Sequence, residues 1–480
     1  MKRIFNYIFI SLLGFAMVAC DLWSDVDEAK PYYVQTEDAS YATLKGINAN
    51  VNGMYSLMRG FQMTEPAKNA GQLAGIYNDP WQQETDYMRV MVTVDDNYTN
   101  QYYLNWYQLI ASANYLVKNL KDLAEGQVEG LSLARRDEII GEAKIARAIG
   151  HFELLKLFGY YYDLNSEYGI PVVTSVLSEA PLRSSVQQVY DAIMKDLDEG
   201  ITYAPEGINR QLFTVLTAKA IKAKVALYMR DYSTAAILAN DVIENGGFSL
   251  ETNYTDIFLE GFASEEVIFS PNAINYDEYI GPSNEYTNSP SDMLKALADE
   301  QVEGVGNEAT GEGYDARYAY THAWDLLPLW AYNGKYPPKW DFNQPGNSYN
   351  YLRLAELYFI QAEAEARLAS DDINDSRFVS ALSRVNQLRD RVSMAHAMPA
   401  GKAELLQTIR IDKMMELLLE WGEPWSDMVR YHFLGDINIS AIRGFEIQDW
   451  QLTYPFNLRT LNANTRLVQN PGYIGVGESN

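Results

Sequence analysis

Apolar residues recur at spacings of three and four through most of the chain after about residue 43, the signature of helices with one buried stripe. Residues 105–123 carry Leu109, Ala113, Leu116, Leu120 and Leu123 in this way, and Ile139, Ala143, Ala146, Gly150, Leu154 and Leu157 repeat the stripe. Ser184 or Ser185 supplies an N-cap for a helix through Val189, Ile193 and Leu197. In 214–245, TVLTAKAIKAKVALYMRDYSTAAILANDVIEN, Leu216, Ala220, Ala223 and Leu227 line one helix. Asp231 and Tyr232 then mark a turn, and Ala235, Ala236 and Ala239 open a partner helix. Small residues at such a crossing allow close approach, so the stretch reads as one tetratricopeptide-type helix pair. Residues 351–368 are apolar on two faces: Leu352, Ala355, Phe359, Ala362 and Ala366 on one, Leu354, Leu357, Ala364 and Leu368 on the other. A helix of that kind is packed on two sides, with 378–392 as its predicted partner, followed by 405–421. The pattern predicts a mostly α protein, a tetratricopeptide-like helical-repeat scaffold carrying long irregular loops.

Two stretches break the rhythm. Residues 61–101 mix Gly71, Gly75 and Pro80 with Tyr77, Asn78, Asp79, Trp81, Tyr87, Asp95, Asp96 and Tyr98. Residues 246–348 hold Tyr276, Tyr279, Tyr314, Tyr318, Tyr320, Trp324, Trp330 and Trp340 among Gly, Pro and Asn. Irregular segments this long inside a compact protein are usually binding elements.

Charge and composition narrow the chemistry. Sixty-four acidic against 38 basic residues give a net charge of −26, which argues against a nucleic-acid surface. A single cysteine among 480 residues excludes a disulfide framework or a thiolate metal cluster. His151, His322, His396 and His432 are too scattered for a metal motif, and no phosphate loop or nucleophile elbow is present. No catalytic residue, metal or cofactor is expected. His151 reads as a packed histidine, and Glu363 and Glu365, two apart on a helix, do not face one another.

The N-terminus reads as an address. Lys2 and Arg3 precede a short apolar stretch, 4–18, which ends Met17-Val18-Ala19-Cys20. This resembles a secretory signal with a bacterial lipobox, in which Cys20 receives acyl chains and becomes the first residue of the mature protein. The alternative is a plain secretory signal with an incidental cysteine. Asp21, Asp25, Asp27 and Glu28 follow directly. They read either as a solvated tether or, by resemblance to some Gram-negative lipoproteins, as a signal for export to the cell surface.

The chain as a whole resembles the SusD/RagB family of outer-membrane nutrient-binding lipoproteins. The resemblance rests on EAKIARAIGHFELLKLFG (142–159) followed by YGIPVVT (168–174), on RSSVQQVYDAIMKDLDEGI, on YLRLAELYFIQAEA and ALSRVNQLRDR, and on QNPGY (469–473). Departures fall at Asp412-Lys413, where the family commonly has Glu-Arg, and at Pro455-Phe456-Asn457, where Pro-Ile-Pro is usual. Both positions read as structural. The resemblance divides the chain into a lipoprotein signal over 1–19, an N-terminal region with helical repeats over 20–245, and a C-terminal region over 246–480 packed with the first as one globular unit. It implies a lipid-anchored protein at the outer membrane, facing the exterior, that binds an oligosaccharide and associates with a SusC-like TonB-dependent transporter. Peptide capture on the same scaffold is the alternative. A surface glycoside hydrolase is a third reading, of a different class.

Sugars offer apolar C–H faces and a rim of hydroxyls, which call for exposed rings beside Asp, Asn, Gln or Arg. Tyr77-Asn78-Asp79-Pro80-Trp81 supplies both in one loop, unless Trp81 plugs that loop into the core. Trp324 is the second candidate, in YDARYAYTHAW (314–324), which resembles the family's Asp-x-Arg segment; Asp315 and Arg317 themselves read as a structural ion pair. Tyr276 and Tyr279 are further candidates. Trp106, Trp421 and Trp425 are expected in the core.

Overall fold

The structure, a computed structural model, describes residues 37–59, 65–79, 81, 83–176, 179–271, 289–299, 306–327, 333–336, 350–420 and 423–473. The predicted signal and Cys20 lie outside the described residues. Helices come first: α1 (Glu37–Tyr41), α2 (Leu44–Leu57), α3 (Glu65–Ala74), α4 (Asn97–Leu120), α5 (Leu133–Phe158), α6 (Val186–Tyr203), α7 (Val215–Tyr228) and α8 (Tyr232–Asn245). Short elements follow: α9 (Asp256–Glu260), α10 (Asp292–Ala298) and α11 (Ala316–His322). The chain then returns to helices: α12 (Leu354–Leu368), α13 (Ser376–Arg391), α14 (Lys402–Glu416), α15 (Glu423–Phe433), α16 (Ile439–Arg443) and α17 (Leu458–Ala463). The strands are short: β1 (Tyr77–Asn78) pairs antiparallel with β3 (Ser289–Pro290), and β2 (Val267–Phe269) with β4 (Leu352–Arg353).

Local chemistry sets the helix starts. Ser185 caps α6 in a full capping box with Gln188, and Thr214 does the same for α7 with Thr217. Asp231, expected as a turn, caps α8 by accepting from the Thr234 amide at 3.1 Å. α4 begins eight residues before the expected 105, because Asp96 accepts from the Thr99 amide at 2.8 Å and starts a turn that carries no apolar stripe. Residues 61–101 are therefore only partly irregular: α3 and the start of α4 lie within them.

Successive helices stack as neighbours: α4 on α5, α5 on α6, α6 on α7, α7 on α8, then α8 on α12, and α12 on α13 and α14. Gly150 serves one crossing, since a Cβ there would fall 2.8 Å from the Ile110 side chain of α4. The two-faced reading of 351–368 holds from Leu354 on, whereas Leu352, expected on the face of Ala355, lies in β4 and joins the main core. Leu354, Leu357, Ile360 and Ala364 join the main core, while Ala355, Phe359, Ala362 and Ala366 form a second core with Phe378, Val385, Leu405 and Ile409. Trp106 and Trp425 are buried as expected; Trp421, Trp330 and Trp340 lie outside the described residues.

The fold also buries a network of charge. Arg353 bonds Glu266 and Glu416 at 2.7 Å and Glu420 at 2.8 Å, and Arg391 also pairs with Glu266 and Glu416. Lys224 of α7 bonds Glu356 of α12 at 2.9 Å and Glu423 of α15 at 2.6 Å. Arg430 holds Glu363 through both terminal guanidinium nitrogens, at 2.5 and 2.7 Å. Asp412 and Lys413, the departures from the family pattern, belong to the same network, Asp412 bonding Arg317 and Arg389 and Lys413 bonding Asp427. Their role is structural: each buried charge is matched, which is the condition for tolerating it.

Candidate functional site

The two loop segments singled out in the sequence lie far apart along the chain and meet. α3 ends at Ala74, and Gly75 at φ +76° reverses the chain into β1, a conformation that glycine adopts without strain. β1 sets Tyr77 opposite Pro290 and Asn78 opposite Ser289. The Ser291 amide donates to the Ile76 carbonyl at 2.9 Å while its side chain caps α10. α10 leads to Asp299, which bridges to Tyr314, and the Asp315 amide donates to the Ala298 carbonyl at 2.7 Å.

Asp315 caps α11 and, as expected, forms an ion pair with Arg317, at 2.6 Å. Arg317 also bonds Asp412 of α14 at 2.9 Å, which fixes α11 to the scaffold. The spacing of four then does the rest. Tyr314 and Tyr318 rings lie 4.8 Å apart, Tyr318 and His322 rings 5.2 Å apart, and Tyr77 closes on His322 edge-to-face at 5.4 Å. The Tyr77 hydroxyl and His322 Nε2 share a hydrogen bond of 3.0 Å. Burial, with the Lys335 charge adding to it, holds His322 down to about 3, so the ring is neutral at ordinary pH. Lys335 is itself spent, donating to Glu420 at 2.7 Å and to the Glu416 carbonyl at 2.9 Å.

Each of the two segments joined here also carries an exposed tryptophan. Trp81 is 81% exposed and Trp324 59% exposed, the first four residues past Tyr77 and the second two past His322. Trp81 does not plug the core. Tyr77, expected to face a ligand, is 1% exposed and is corrected here to a support beneath the loop, because β1 alternation turns it inward. Asn78, the next residue, is half-buried. Asp79 accepts from the amides of Trp81 at 2.9 Å and Gln83 at 3.4 Å through Oδ1, so one carboxylate oxygen shapes the loop that carries Trp81. Tyr276 and Tyr279 lie outside the described residues.

A groove of about 670 Å³ was not anticipated. It runs along α4 and is lined by Tyr103, Leu104, Tyr107 and Tyr115 there, facing Val176 and Ala463. Several of its polar groups are already engaged: Tyr107 donates to the Pro171 carbonyl at 2.7 Å, Asn114 to the Val173 carbonyl at 3.0 Å, and Asn464 to the Pro181 carbonyl at 2.8 Å. Its lining is thus mainly apolar. The signal lay in the residues of α4 opposite the buried stripe, where Leu104 and Tyr115 are exposed. Among the described residues no group of His, Cys, Asp or Glu is placed to hold a metal, and no helix is long and apolar enough to cross a membrane.

Known proteins align with this architecture along most of its length. Residues 28–229 match a family described as starch-binding associating with outer membrane, and residues 276–473 match the SusD family. SusD-like protein P38 of Formosa agariphila is 25% identical over 443 residues, covering 77% of this chain and 80% of that protein. A SusD superfamily protein of Bacteroides thetaiotaomicron superposes with a TM-score of 0.68 at 20% identity, over 89% of this chain and 100% of the other. A solved structure described as a laminarin binding SusD-like protein superposes with a TM-score of 0.64 at 18% identity, over 90% of this chain and 100% of the other.

Proposed function

The chain belongs to the SusD/RagB family, and from that premise we propose that it captures an oligosaccharide at the outer membrane and delivers it to a SusC-like TonB-dependent transporter. It acts by binding, without catalysis. Anchorage through acylated Cys20, after removal of 1–19, holds it at the cell surface, and residues 20–245 and 246–480 work as one globular unit.

One observation carries the glycan reading: the Tyr77–His322 joint ties together the two segments that expose Trp81 and Trp324. Large rings left in water on structured segments have no folding role that requires exposure, and they suit the apolar faces of sugar rings. Asn78 and Asp79 stand beside them for the hydroxyls, with Tyr276 and Tyr279 as further candidate rings from 246–348. The laminarin-binding description of one structural neighbour supports a carbohydrate. Peptide capture is the second reading, favoured by the mainly apolar groove on α4, which suits side chains better than hydroxyls. Affinity electrophoresis in gels containing laminarin, starch, mannan or xylan tests the proposal. Retardation by at least one glycan, lost in Trp81→Ala, is expected; free migration in all of them, with binding of a peptide pool instead, would replace it with the second reading.

A further inference from the structure

We infer that the Trp81 and Trp324 site takes an uncharged oligosaccharide and rejects chains bearing uronate or sulfate groups; this rests on the glycan reading above. Among the described side chains of the two loop regions, 61–101 and 272–348, eleven are acidic and four basic. The cations that are described there are all engaged. Arg89 pairs with Asp86, Lys295 with Glu308 at 2.9 Å, Arg317 with Asp315 and Asp412, and Lys335 with Glu420. His322, at the joint itself, carries no charge at ordinary pH.

Carboxylates, by contrast, stand beside both rings. Asp79 lies two residues before Trp81 and is half-buried, Glu84 lies three after it and is exposed, and Asp325 follows Trp324 directly and is exposed. An anionic sugar brought onto these rings meets like charge, and among the described residues of the two loop regions no guanidinium or ammonium lacks an acidic partner. A neutral sugar offers hydroxyls as donors, which carboxylates accept well. The site's field therefore selects on charge before it selects on linkage, and the selection is electrostatic and open to screening.

The test uses matched pairs: oligosaccharides of laminarin, starch, mannan and xylan, each beside its chemically sulfated form, titrated calorimetrically at low salt and at ~0.3 M NaCl, where the Debye length falls to a few ångströms. The expected result is that a neutral member binds and its sulfated partner is at least about tenfold weaker at low salt. That gap should narrow as salt rises, and narrow again in Asp325→Asn combined with Glu84→Gln. Equal or tighter binding of the sulfated form at low salt, still lost in Trp81→Ala, would overturn the inference and leave glycan capture standing. A gap that neither salt nor the double variant moves would trace it to shape and also overturn the inference. No binding by any member would remove the glycan reading itself, and the inference with it.

Discussion

The Tyr77 hydroxyl meets Nε2 of His322 across 3.0 Å, although the two residues are 245 positions apart in the chain. Each sits just inside the segment that carries an exposed tryptophan. The bond adds to the β1–β3 pairing, which already joins the two segments, while α11 is fixed to the scaffold through Arg317, so the relative placement of the segments that carry Trp81 and Trp324 is a property of the fold. Tyr77→Phe keeps the ring and removes the bond, at an expected cost of about 0.5–1.5 kcal/mol in stability. Glycan affinity should fall by less than on removal of either tryptophan. Thermal melts beside calorimetric titration check both. An unchanged melting temperature would mean that the bond does not hold the two segments together.

The tryptophans should behave in the opposite way. Trp81→Ala and Trp324→Ala are each expected to cost about 1–3 kcal/mol in glycan binding, roughly tenfold to a hundredfold in affinity. Melting temperatures should stay close to wild type, since both rings are exposed in the free protein. A large fall in melting temperature with either variant would reassign that ring to structure.

The helical scaffold was legible in the sequence because its signals are local and repetitive. The two apolar faces from Leu354 on, the Ser185 cap and the 214–245 pair all emerge as read. α4 was read short because its first turn is started by Asp96 and carries polar residues, so periodicity has nothing to report there. Trp81 and Trp324 were legible as candidates, being rings in polar loops. What was not legible is which ring of the first loop faces out. The sequence Tyr77-Asn78-Asp79-Pro80-Trp81 does not say that β1 pairs with Ser289–Pro290, and only that pairing, with His322 beneath, turns Tyr77 inward. The charge network escaped for the same reason: Lys224, Glu356 and Glu423 are unremarkable on their own helices and meet only on packing.

That network gives a stability prediction independent of the site. Burial opposes ionisation of Glu363, but the charge and hydrogen bonds of Arg430, with Arg367 and Lys413 behind them, outweigh it and hold the carboxyl down to about 2. Glu363→Ala leaves Arg430 paired only with Asp427, at 2.9 Å, and should cost about 3–5 kcal/mol. Replacing Arg430 and Glu363 together by Met and Leu should recover much of that loss. Urea denaturation of Glu363→Ala, Arg430→Met and the double variant decides it; a double-variant loss equal to the sum of the two single losses would show that the pair is not coupled.

Anchorage has a direct test as well. Cys20→Ala in cells is expected to release the protein from the membrane fraction or leave the precursor uncleaved, while wild type carries acyl chains by mass spectrometry. Gentle detergent extraction of wild type should bring down a TonB-dependent barrel of much higher mass. Recovery of unacylated wild type from the periplasm would sink the anchor, and recovery of a lone chain even after cross-linking would sink the partnership.

Acid should weaken the fold in two steps whose signs follow from the histidines and Glu363. His151 is fully buried and takes a hydrogen bond from the Val173 amide on Nε2 at 3.0 Å; burial, with Arg147 beside it, holds it down to about 3, and His322 is held to about the same value. In the unfolded chain both titrate near 6.5. Between 6.5 and 3 the unfolded state therefore binds protons that the folded state does not, so stability falls as pH drops through this window and is fully present above it. Each histidine contributes a slope of at most about 1.4 kcal/mol per pH unit, less for the half-buried His322. Glu363 adds a second loss below 4.5, where the unfolded carboxyl takes up a proton and the folded one resists until about 2. Melting temperature followed from pH 8 down to 4 should stay flat for these groups to about 6.5 and then decline. In His322→Gln, which cannot take up a proton, the decline should be shallower; a slope identical to wild type would mean that the ring at the joint titrates in the folded protein as it does in the unfolded chain.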